Sequence, residues 1–342
     1  MIVNQPINDE IIRLEHIELP KGFTGSGKLM ARAAIEKGLE VEVVSPKVFI
    51  IKSTEKSEVF TQQIGSSTSY VGAAISANKD LAKRFMRRSG VRVPEGIMFN
   101  VNKKRDRDRA VKFMKSYGDK PLVLKPLNGN QGTNVFLDIT GIDDMLRKCD
   151  IISQNFSRAV LEEQVQGIEC RYYVVGDQVR GVILRKAANV VGDGKNTIQE
   201  LVEIKNEGRK NRYGLKEIKI DSESRSLLEE QGMSVGTVPE AGQHIKLKRV
   251  SNLHQGGDSI DITDDVHQDI KDIAVAALKS MPTMTYAGID ILAKDHFSSA
   301  SGQDVCVLEV NSRPMASMHH APAYGKARNI CGDVIDHLFF DK

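Results

Sequence analysis

The sequence predicts a protein of mixed α/β or α+β class. Segments with the 3.6-residue period of an amphipathic helix alternate with short apolar segments typical of strands, and the mixture continues along the whole chain. The chain has 342 residues, so we expect two or three domains of about 100–200 residues each. Hydrophobic residues make up 40% of the chain and charged residues 27%, a balance that excludes a disordered protein.

A small α/β domain is predicted at the N-terminal end, over residues 1–75. Leu29–Lys37 has the pattern of a helix, Gly38 is its stop signal, and Leu39–Ser45 follows with the pattern of a strand. Thr61–Gly72 is rich in Ser, Thr and Gly, which is typical of a boundary between domains.

The rest of the chain is predicted to carry helices and strands around one polar segment. The helices are expected at Ala77–Arg88, Asp106–Ser116, Thr197–Asn206, Asp264–Ser280 and Lys326–Phe339, and the strands at Pro121–Leu127, Ala287–Ala293 and Val305–Val310. Residues 186–258 are mostly polar and irregular, so we expect them to form an insertion outside the main sheet.

Composition excludes several classes of function. The net charge is +3, from 48 basic and 45 acidic residues, and this excess is too small for a nucleic-acid-binding protein. No apolar run reaches the roughly 18 residues that cross a bilayer, and the first residues lack the pattern of a signal peptide. We therefore expect a cytoplasmic protein with no membrane or nucleic-acid partner. The four cysteines are widely spaced, which argues against a zinc site and favours reduced, buried thiols.

One glycine-rich segment is similar to a phosphate-binding loop. Gly22–Lys28 fits the spacing of a P-loop, but Leu29 stands where a Ser or Thr hydroxyl would bind magnesium. We therefore interpret this segment as a turn that opens the following helix.

A stronger phosphate signal lies at Lys125, in the sequence Leu-Val-Leu-Lys-Pro. A lysine on an apolar strand is costly to bury unless an anion meets it, and a phosphate is a natural partner for its ammonium group. The alternative is an edge lysine that reaches solvent. The loop Leu127–Thr133 follows directly, and its backbone N–H groups can fold over phosphates, although a plain β-turn has the same composition.

Carboxylates mark three further segments. Glu162 and Glu163 end an apolar strand and Glu169 follows, a spacing that suits an adenine amino group and ribose hydroxyls; the alternative is surface charge. Asp290 interrupts the apolar run Ala-Gly-Ile-Asp-Ile, and the pair Glu309 and Asn311 shares one face of a strand. Such oxygens suit magnesium that also contacts nucleotide phosphates, whereas the alternative is pairing with buried Arg or Lys.

The order of these motifs resembles that of the ATP-grasp superfamily of ligases, over about residues 76–342. The resemblance implies an α+β ATP-grasp fold, with subdomains at 76–158 and 159–342 that clamp ATP, preceded by the small α/β domain at 1–75. It also implies that Mg²⁺, or Mn²⁺ as an alternative, supports formation of an acyl phosphate, which an amine then attacks.

Within the superfamily, the chain is similar to the ATP-grasp domain of cyanophycin synthetases and to the final part of bifunctional glutathione synthetases. The matching stretches are Gly167–Val175, Arg185–Leu201, Gly256–His267 and Met318–Arg328. The resemblance implies an amide or peptide bond between amino acids or small peptides, and related ligases are often homo-oligomers. The alternatives are a γ-glutamyl peptide ligase of the glutathione synthetase type and a regulator that binds ATP without turnover.

The resemblance also assigns roles to individual residues. ATP binding falls on Lys79, Lys125, Asn128, Gly129, Gln131, Gly132, Glu162, Glu163, Val165 and Glu169, with Lys83 as the competitor of Lys79. The metal ligands are Asp290, Glu309 and Asn311. Lys125 and Arg185 are the catalytic candidates, and Arg185 would lie near the transferred phosphate or bind the acceptor carboxylate. Candidates for substrate contact are Arg171, Arg313, His319 and His320. Arg313 would bind a substrate carboxylate or pair with a nearby acid, and one of the two histidines would deprotonate the incoming ammonium group or pack structurally.

Two departures from the family pattern concern the substrate. The predicted leading domain is short, and Met315 stands where the family usually has a glycine after Pro314. The nucleotide site is therefore better specified by the sequence than the molecules it joins.

Overall fold

The computed structural model describes residues 7, 14, 16–21, 23, 27–128, 134–210, 212 and 214–341. The chain divides into two compact units. The first unit comprises Met1–Ser66, Arg180–Asp265 and Pro314–Lys342, and the second comprises Ser67–Val179 and Val266–Arg313. Each unit is thus built from separate stretches of sequence. The domain boundaries expected at residues 75 and 158 divide the chain into consecutive segments, and they stay a prediction.

The described residues contain helices and strands mixed along the chain. The helices are α1 Lys28–Glu36, α2 Tyr70–Ala77, α3 Lys79–Arg88, α4 Lys104–Tyr117, α5 Ile142–Ser153, α6 Ile198–Arg209, α7 Ser222–Glu230, α8 Gln268–Lys279, α9 Ser317–His320 and α10 Ile330–Phe339. The strands are β1 Glu40–Ser45, β2 Val48–Lys52, β3 Ser57–Thr61, β4 Ile64–Gly65, β5 Gly96–Asn100, β6 Leu122–Pro126, β7 Phe136–Ile139, β8 Arg158–Glu163, β9 Ile168–Val175, β10 Gln178–Lys186, β11 Asn189–Val191, β12 His244–Lys246, β13 Asp258–Asp261, β14 Tyr286–Ala293 and β15 Cys306–Asn311. None of the helices in these described ranges is long and apolar enough to cross a bilayer.

In the first unit, β1 to β4 form an antiparallel sheet in sequence order. Phe49 of β2 and Phe60 of β3 are fully buried and stack with their ring centroids 5.2 Å apart. Strand β10 pairs antiparallel with β13, and β11 pairs antiparallel with β12. The sequence indicated only one strand between residues 39 and 61, and the structure adds the hairpin β2–β3. Buried and more exposed residues alternate along both of its strands, as expected for strands with one face on the core.

The predicted polar insertion at 186–258 has a core of its own. Ala188, Ile198, Leu228, Ile245 and Leu247 are buried together, and α7 is a second helix there beside the expected α6. The expectation of an irregular segment with one helix was wrong. The segment reads as polar because its apolar residues are few and widely spaced, and they meet only after folding.

The second unit contains two groups of strands. Strands β5, β8, β6 and β7 lie in that order in one antiparallel sheet, and α4 and α5 cover it with a core that includes Phe99, Met114, Leu124 and Leu161. Strands β9, β14 and β15 lie side by side and are antiparallel to their neighbours. Helix α8 packs against them.

The predicted helix Ala77–Arg88 is interrupted at Asn78. The backbone of Asn78 is extended, and its side chain accepts hydrogen bonds from the N–H groups of Asp80 and Leu81. Asparagine is favoured at this capping position because its side chain satisfies free N–H groups of the first turn. Helix α3 therefore begins at Lys79, one of the predicted ATP-binding residues.

Candidate nucleotide and metal site

A buried carboxylate of the second unit binds two lysines. Glu162 of β8 is 2% exposed. Its carboxylate accepts a hydrogen bond from Lys83 of α3, and Oε1 lies 2.5 Å from the Nζ of Lys125 on β6. Glu162 is opposite Val123 and Lys125 is opposite Val160, so the two side chains are diagonal neighbours on one face of the sheet. Gly96 on β5 leaves the space, since a Cβ there would lie 2.6 Å from the Cβ of Glu162.

The electrostatics of this triad favour an incoming anion. Burial by itself would raise the pKa of Glu162, but the charges of Lys125 and Lys83 outweigh it and the pKa falls below its ordinary value. Burial lowers the pKa of Lys83, and Glu162 opposes that shift. With one carboxylate between two ammonium groups, the triad carries a net charge of +1. A buried positive charge of this kind is stabilised by a phosphate.

The neighbouring carboxylate, Glu163, has other partners. It pairs with Arg92 and accepts hydrogen bonds from the N–H of Glu95 at 3.0 Å and from the hydroxyl of Tyr117 at 3.2 Å. Burial would raise the pKa of Glu163, but the hydrogen bond from Arg92 helps to lower it. Glu163 thereby fixes the end of β8. The predicted adenine contacts of Glu162 and Glu163 stay predictions, and here both carboxylates bind cations.

The remaining predicted nucleotide residues lie around this strand. Asn128 is exposed just after β6, Val165 is half-buried in the connection between β8 and β9, and Glu169 is half-buried on β9. Gly129, Gln131 and Gly132 lie outside the described residues.

The three predicted metal ligands come together on β14 and β15. Asp290 is directly opposite Glu309 in the strand pairing, and Asn311 is two residues further along the face that Glu309 occupies. The amide of Asn311 donates to Glu309 at 2.9 Å and to Asp290 at 3.4 Å. The strand pairing shifts register immediately after Asp290, and such a bulge re-aims side chains at a site.

Two cations balance these carboxylates. Arg171 of β9 donates hydrogen bonds to both carboxylate oxygens of Asp290, and its Nη2 lies 2.7 Å from Oδ2. The same Nη2 lies 3.9 Å from Oε1 of Glu309. The Nζ of Lys79 lies 3.6 Å from Glu309. Burial would lower the pKa of Arg171, but the charge of Asp290 raises it overall. The four charged groups sum to zero.

The donor set fits a hard cation. Within the ranges that the structure describes, no three His, Cys, Asp or Glu side chains cluster as metal ligands, and the predicted set offers two carboxylates and one amide. Magnesium commonly takes one or two protein carboxylates and completes its octahedron with phosphate and water oxygens. Asp290, Glu309 and Asn311 would therefore hold Mg²⁺ together with a nucleotide.

The other predicted contacts are spread over both units. Arg313 is exposed just after β15 in the second unit. Arg185 belongs to the first unit and lies half-buried on β10, opposite Ser259 of β13. His319 and His320 are also in the first unit and are 0% and 1% exposed. The Nε2 of His320 accepts a hydrogen bond from the N–H of Cys331, which ties α9 to α10.

We expect His320 to lower the free energy of unfolding as the pH falls. Burial lowers the pKa of His320 from 6.5 to about 4. Between these values His320 is protonated in the unfolded chain and neutral in the folded chain. Each pH unit of acidification in this range therefore lowers the free energy of unfolding by about 1.4 kcal/mol. The effect is absent above pH 6.5 and complete near pH 4. Denaturant unfolding of wild type and His320→Gln at pH 7 and pH 4.5 measures it. Equal losses in both proteins would contradict the assignment.

Sequence reasoning gave Arg92 no role and placed Lys83 only as an alternative to Lys79. In the structure both lysines are used: Lys83 binds Glu162, and Lys79 lies beside Glu309. Lys79 and Lys83 are four residues apart on α3 and thus share one helix face, and this spacing is the sequence signal that both could face the same side of the fold. No comparable spacing leads to Arg92.

Comparison with known proteins identifies the family of this chain. The sequence profile of the ATP-grasp domain matches residues 76–317, well over half of the chain. The chain belongs to the ATP-grasp family. This confirms the family and the α+β fold expected from the sequence, and ATP-grasp membership implies the use of ATP with a divalent metal ion.

Two curated relatives and one solved structure extend the match beyond the ATP-grasp domain. The glutathione biosynthesis bifunctional protein GshAB of Pasteurella multocida is 30% identical over 317 residues, which cover 89% of this chain and 41% of the relative. Cyanophycin synthetase of Trichormus variabilis is 32% identical over 276 residues, covering 80% of this chain and 30% of the relative. The crystal structure of a bifunctional glutathione synthetase from Pasteurella multocida aligns with a TM-score of 0.73 and 28% identity, covering 93% of this chain and 44% of that one. The chain therefore spans about two fifths of the GshAB length.

Proposed function

We propose that this protein is an ATP-dependent carboxylate–amine ligase that joins amino acids or small peptides through an acyl phosphate. The observation that carries the proposal is the pairing of two sites in one unit: a buried lysine pair with a net positive charge, and a charge-balanced cluster of oxygen ligands. The first suits the phosphates of ATP, and the second suits the divalent metal that accompanies them.

In this mechanism the carboxylate of one substrate attacks the γ-phosphorus of ATP. The bond to ADP breaks, and an acyl phosphate forms. The amine of the second substrate then attacks the acyl carbon and releases inorganic phosphate. When bound, Mg²⁺ neutralises charge on the phosphates. Lys125 and Lys83 contribute fixed positive charge, which requires no reorganisation during phosphoryl transfer.

Release of phosphate from MgATP, followed together with mass spectrometry of the products, tests the proposal. Amino acids are supplied singly and in pairs. We expect phosphate release that requires a pair and yields a product one water lighter than its two parts. Tight ATP binding with no phosphate release for any amino acid or small peptide would instead indicate a regulator that binds ATP without turnover.

A γ-glutamyl peptide ligase is the second candidate. It is favoured by the match of 89% of this chain to proteins named for glutathione biosynthesis. A γ-glutamyl dipeptide with glycine as the amine distinguishes it in the same assay. The use of Mg²⁺, with Mn²⁺ as the alternative, is part of the proposal. The expected homo-oligomeric state rests on the resemblance alone, and the cytoplasmic location stays an expectation from the sequence pattern.

A further inference from the structure

A buried histidine of the second unit, His296, lies outside the two sites described above. It follows β14 in the chain and is 2% exposed. Its ring binds two groups of β9: Nε2 lies 2.8 Å from the carbonyl oxygen of Ile168, and Nδ1 lies 2.7 Å from the hydroxyl of fully buried Tyr172. The imidazole therefore bridges the first and the fifth residue of this strand.

The partners of His296 determine which nitrogen carries the hydrogen. A carbonyl oxygen can only accept, so Nε2 donates to Ile168. Burial lowers the pKa of His296 below its ordinary value, so the ring is neutral at about pH 7. The other nitrogen of a neutral ring accepts, and the hydroxyl of Tyr172 therefore donates to Nδ1. This chain of hydrogen bonds holds the imidazole in one orientation.

The loop that carries His296 is itself fixed. The carbonyl of His296 accepts a hydrogen bond at 3.0 Å from the N–H of His267, the N-cap residue of α8. The N–H of Asp295 donates to the side chain of Gln303 at 3.0 Å, and the amide of Gln303 donates back to the carbonyl of Asp295 at 2.8 Å. The ring is thus a firm link between β9, the end of β14 and α8.

The strand register places Glu169 beside this link, on the face of the sheet that carries the candidate metal ligands. Glu169 is two residues from Arg171 on β9, and Arg171 is directly opposite Asp290. Because side chains alternate along a strand, Glu169 shares the face of Arg171 and Asp290, whereas Tyr172 lies on the other face. The peptide group whose carbonyl binds His296 leads directly into Glu169.

The start of β9 needs such support, because the terminal residues of an element open most easily. Ile168 is the first residue of β9, pairs with Ala293 at the end of β14 and is 47% exposed. The turn before it packs directly on β14, since a Cβ at Gly167 would lie 2.8 Å from the carbonyl oxygen of Ala293. A displacement of the Ile168 peptide would therefore move Glu169 with it.

We propose that His296 is a positioning residue for the nucleotide: it fixes the start of β9 so that Glu169 meets the ribose hydroxyls of ATP. The inference rests on the proposed function and on the predicted ribose role of Glu169, and it adds the residue that makes this role precise. His296 acts through β9 and does not contact the reacting groups. A histidine that served packing alone would change stability and leave the preference for ribose hydroxyls intact.

Isothermal titration calorimetry with MgATP and with the magnesium complex of 2′,3′-dideoxy-ATP tests the proposal. Wild type should bind MgATP at least about tenfold more tightly, because hydrogen bonds to a charged group are commonly worth such a factor. His296→Phe keeps an aromatic ring without its nitrogens and should reduce this ratio to about threefold or less, since a small displacement of Glu169 is enough to lose the contact. His296→Gln should restore most of the ratio, because its amide can donate to the carbonyl of Ile168.

The matched control is His267→Ala. This variant removes the side chain that caps α8 and accepts a hydrogen bond from the N–H of Asp269, so it should lower the unfolding temperature. It leaves the bonds of His296 to β9 in place, and we expect an unchanged ratio of affinities. The double variant Glu169→Gln/His296→Phe should have the same ratio as Glu169→Gln alone, because His296 acts through Glu169.

A wild-type ratio in His296→Phe, or losses that add up in the double variant, would overturn the proposal. If His296→Phe does not fold, Tyr172→Phe removes only the hydroxyl that orients the ring, and it should also lower the ratio. Equal affinity of wild type for both nucleotides would overturn the ribose role of Glu169 and this inference, while phosphate release with paired substrates would leave the ligase standing. A wild type that binds neither nucleotide would contradict the proposed function as well.

Discussion

Replacing Lys125 by methionine should weaken the binding of MgATP by about thirtyfold or more and abolish ATP-dependent turnover. Truncating one member of a buried charge pair across a binding interface costs about 2–5 kcal/mol, and 2 kcal/mol corresponds to about thirtyfold. Methionine keeps the aliphatic stem of lysine, so the apolar packing around β6 is preserved. Titration with a fluorescent ATP analogue measures the affinity, and thermal unfolding checks that the variant is folded.

Lys125→Met reports on MgATP binding, because the triad should let the fold tolerate the loss of Lys125. Without Lys125, Glu162 still pairs with Lys83, so the buried group changes from a net charge of +1 to a neutral pair. Glu162→Gln has the opposite effect, since it leaves two lysines facing each other without a counter-charge. That loss should cost about 3–5 kcal/mol of unfolding free energy.

The exposed Lys120 of the same unit provides the control, as Lys120→Met. Normal MgATP affinity in Lys125→Met would contradict the phosphate role of Lys125. A stable Glu162→Gln would show that Glu162 is not needed to hold the lysines.

Glu309→Gln should raise the Mg²⁺ concentration needed for half-maximal nucleotide binding by at least about tenfold. Even the partners that only orient metal ligands are commonly worth 10–100-fold in metal affinity, and Glu309 is proposed as a ligand itself. The substitution also leaves Lys79 and Arg171 opposed by Asp290 alone, so an arriving cation meets a net positive cluster. The measurement is a Mg²⁺ titration at a fixed concentration of fluorescent ATP analogue.

The charge balance of the same cluster predicts that Mg²⁺ binds together with the nucleotide. Asp290 and Glu309 are already neutralised by Arg171 and Lys79, so free Mg²⁺ would bring an excess charge of +2 that nucleotide phosphates can offset. We therefore expect Mg²⁺ alone to leave the unfolding temperature of the wild type unchanged. Arg171→Met should make the unfolding temperature respond to Mg²⁺ without nucleotide.

Asp119→Asn, which changes an exposed acid of the same unit, is the control for Glu309→Gln. An unaltered Mg²⁺ requirement in Glu309→Gln would show that β15 does not carry the metal ligands.

Much of the candidate site could be predicted because local spacing determines it. Glu309 and Asn311 share a face since strand side chains alternate with a period of two. Lys125 was notable because a charged residue in an apolar strand needs a partner, whatever the rest of the fold is. The identity of that partner lay elsewhere in the chain. Lys83 and Lys79 are equivalent in sequence, and only the docking of α3 places one beside Glu162 and the other beside Glu309.

The sequence by itself determined the ATP-grasp family, the α+β class and the residues expected at the metal strands. These follow from motif order and from local periodicity, which every short segment expresses on its own. The tertiary structure decided the pairing of Arg171 with Asp290, which lie 119 positions apart, and the pairing of Lys83 with Glu162. Such features depend on which distant segments pack together, and the free energy of that packing is a property of the whole chain.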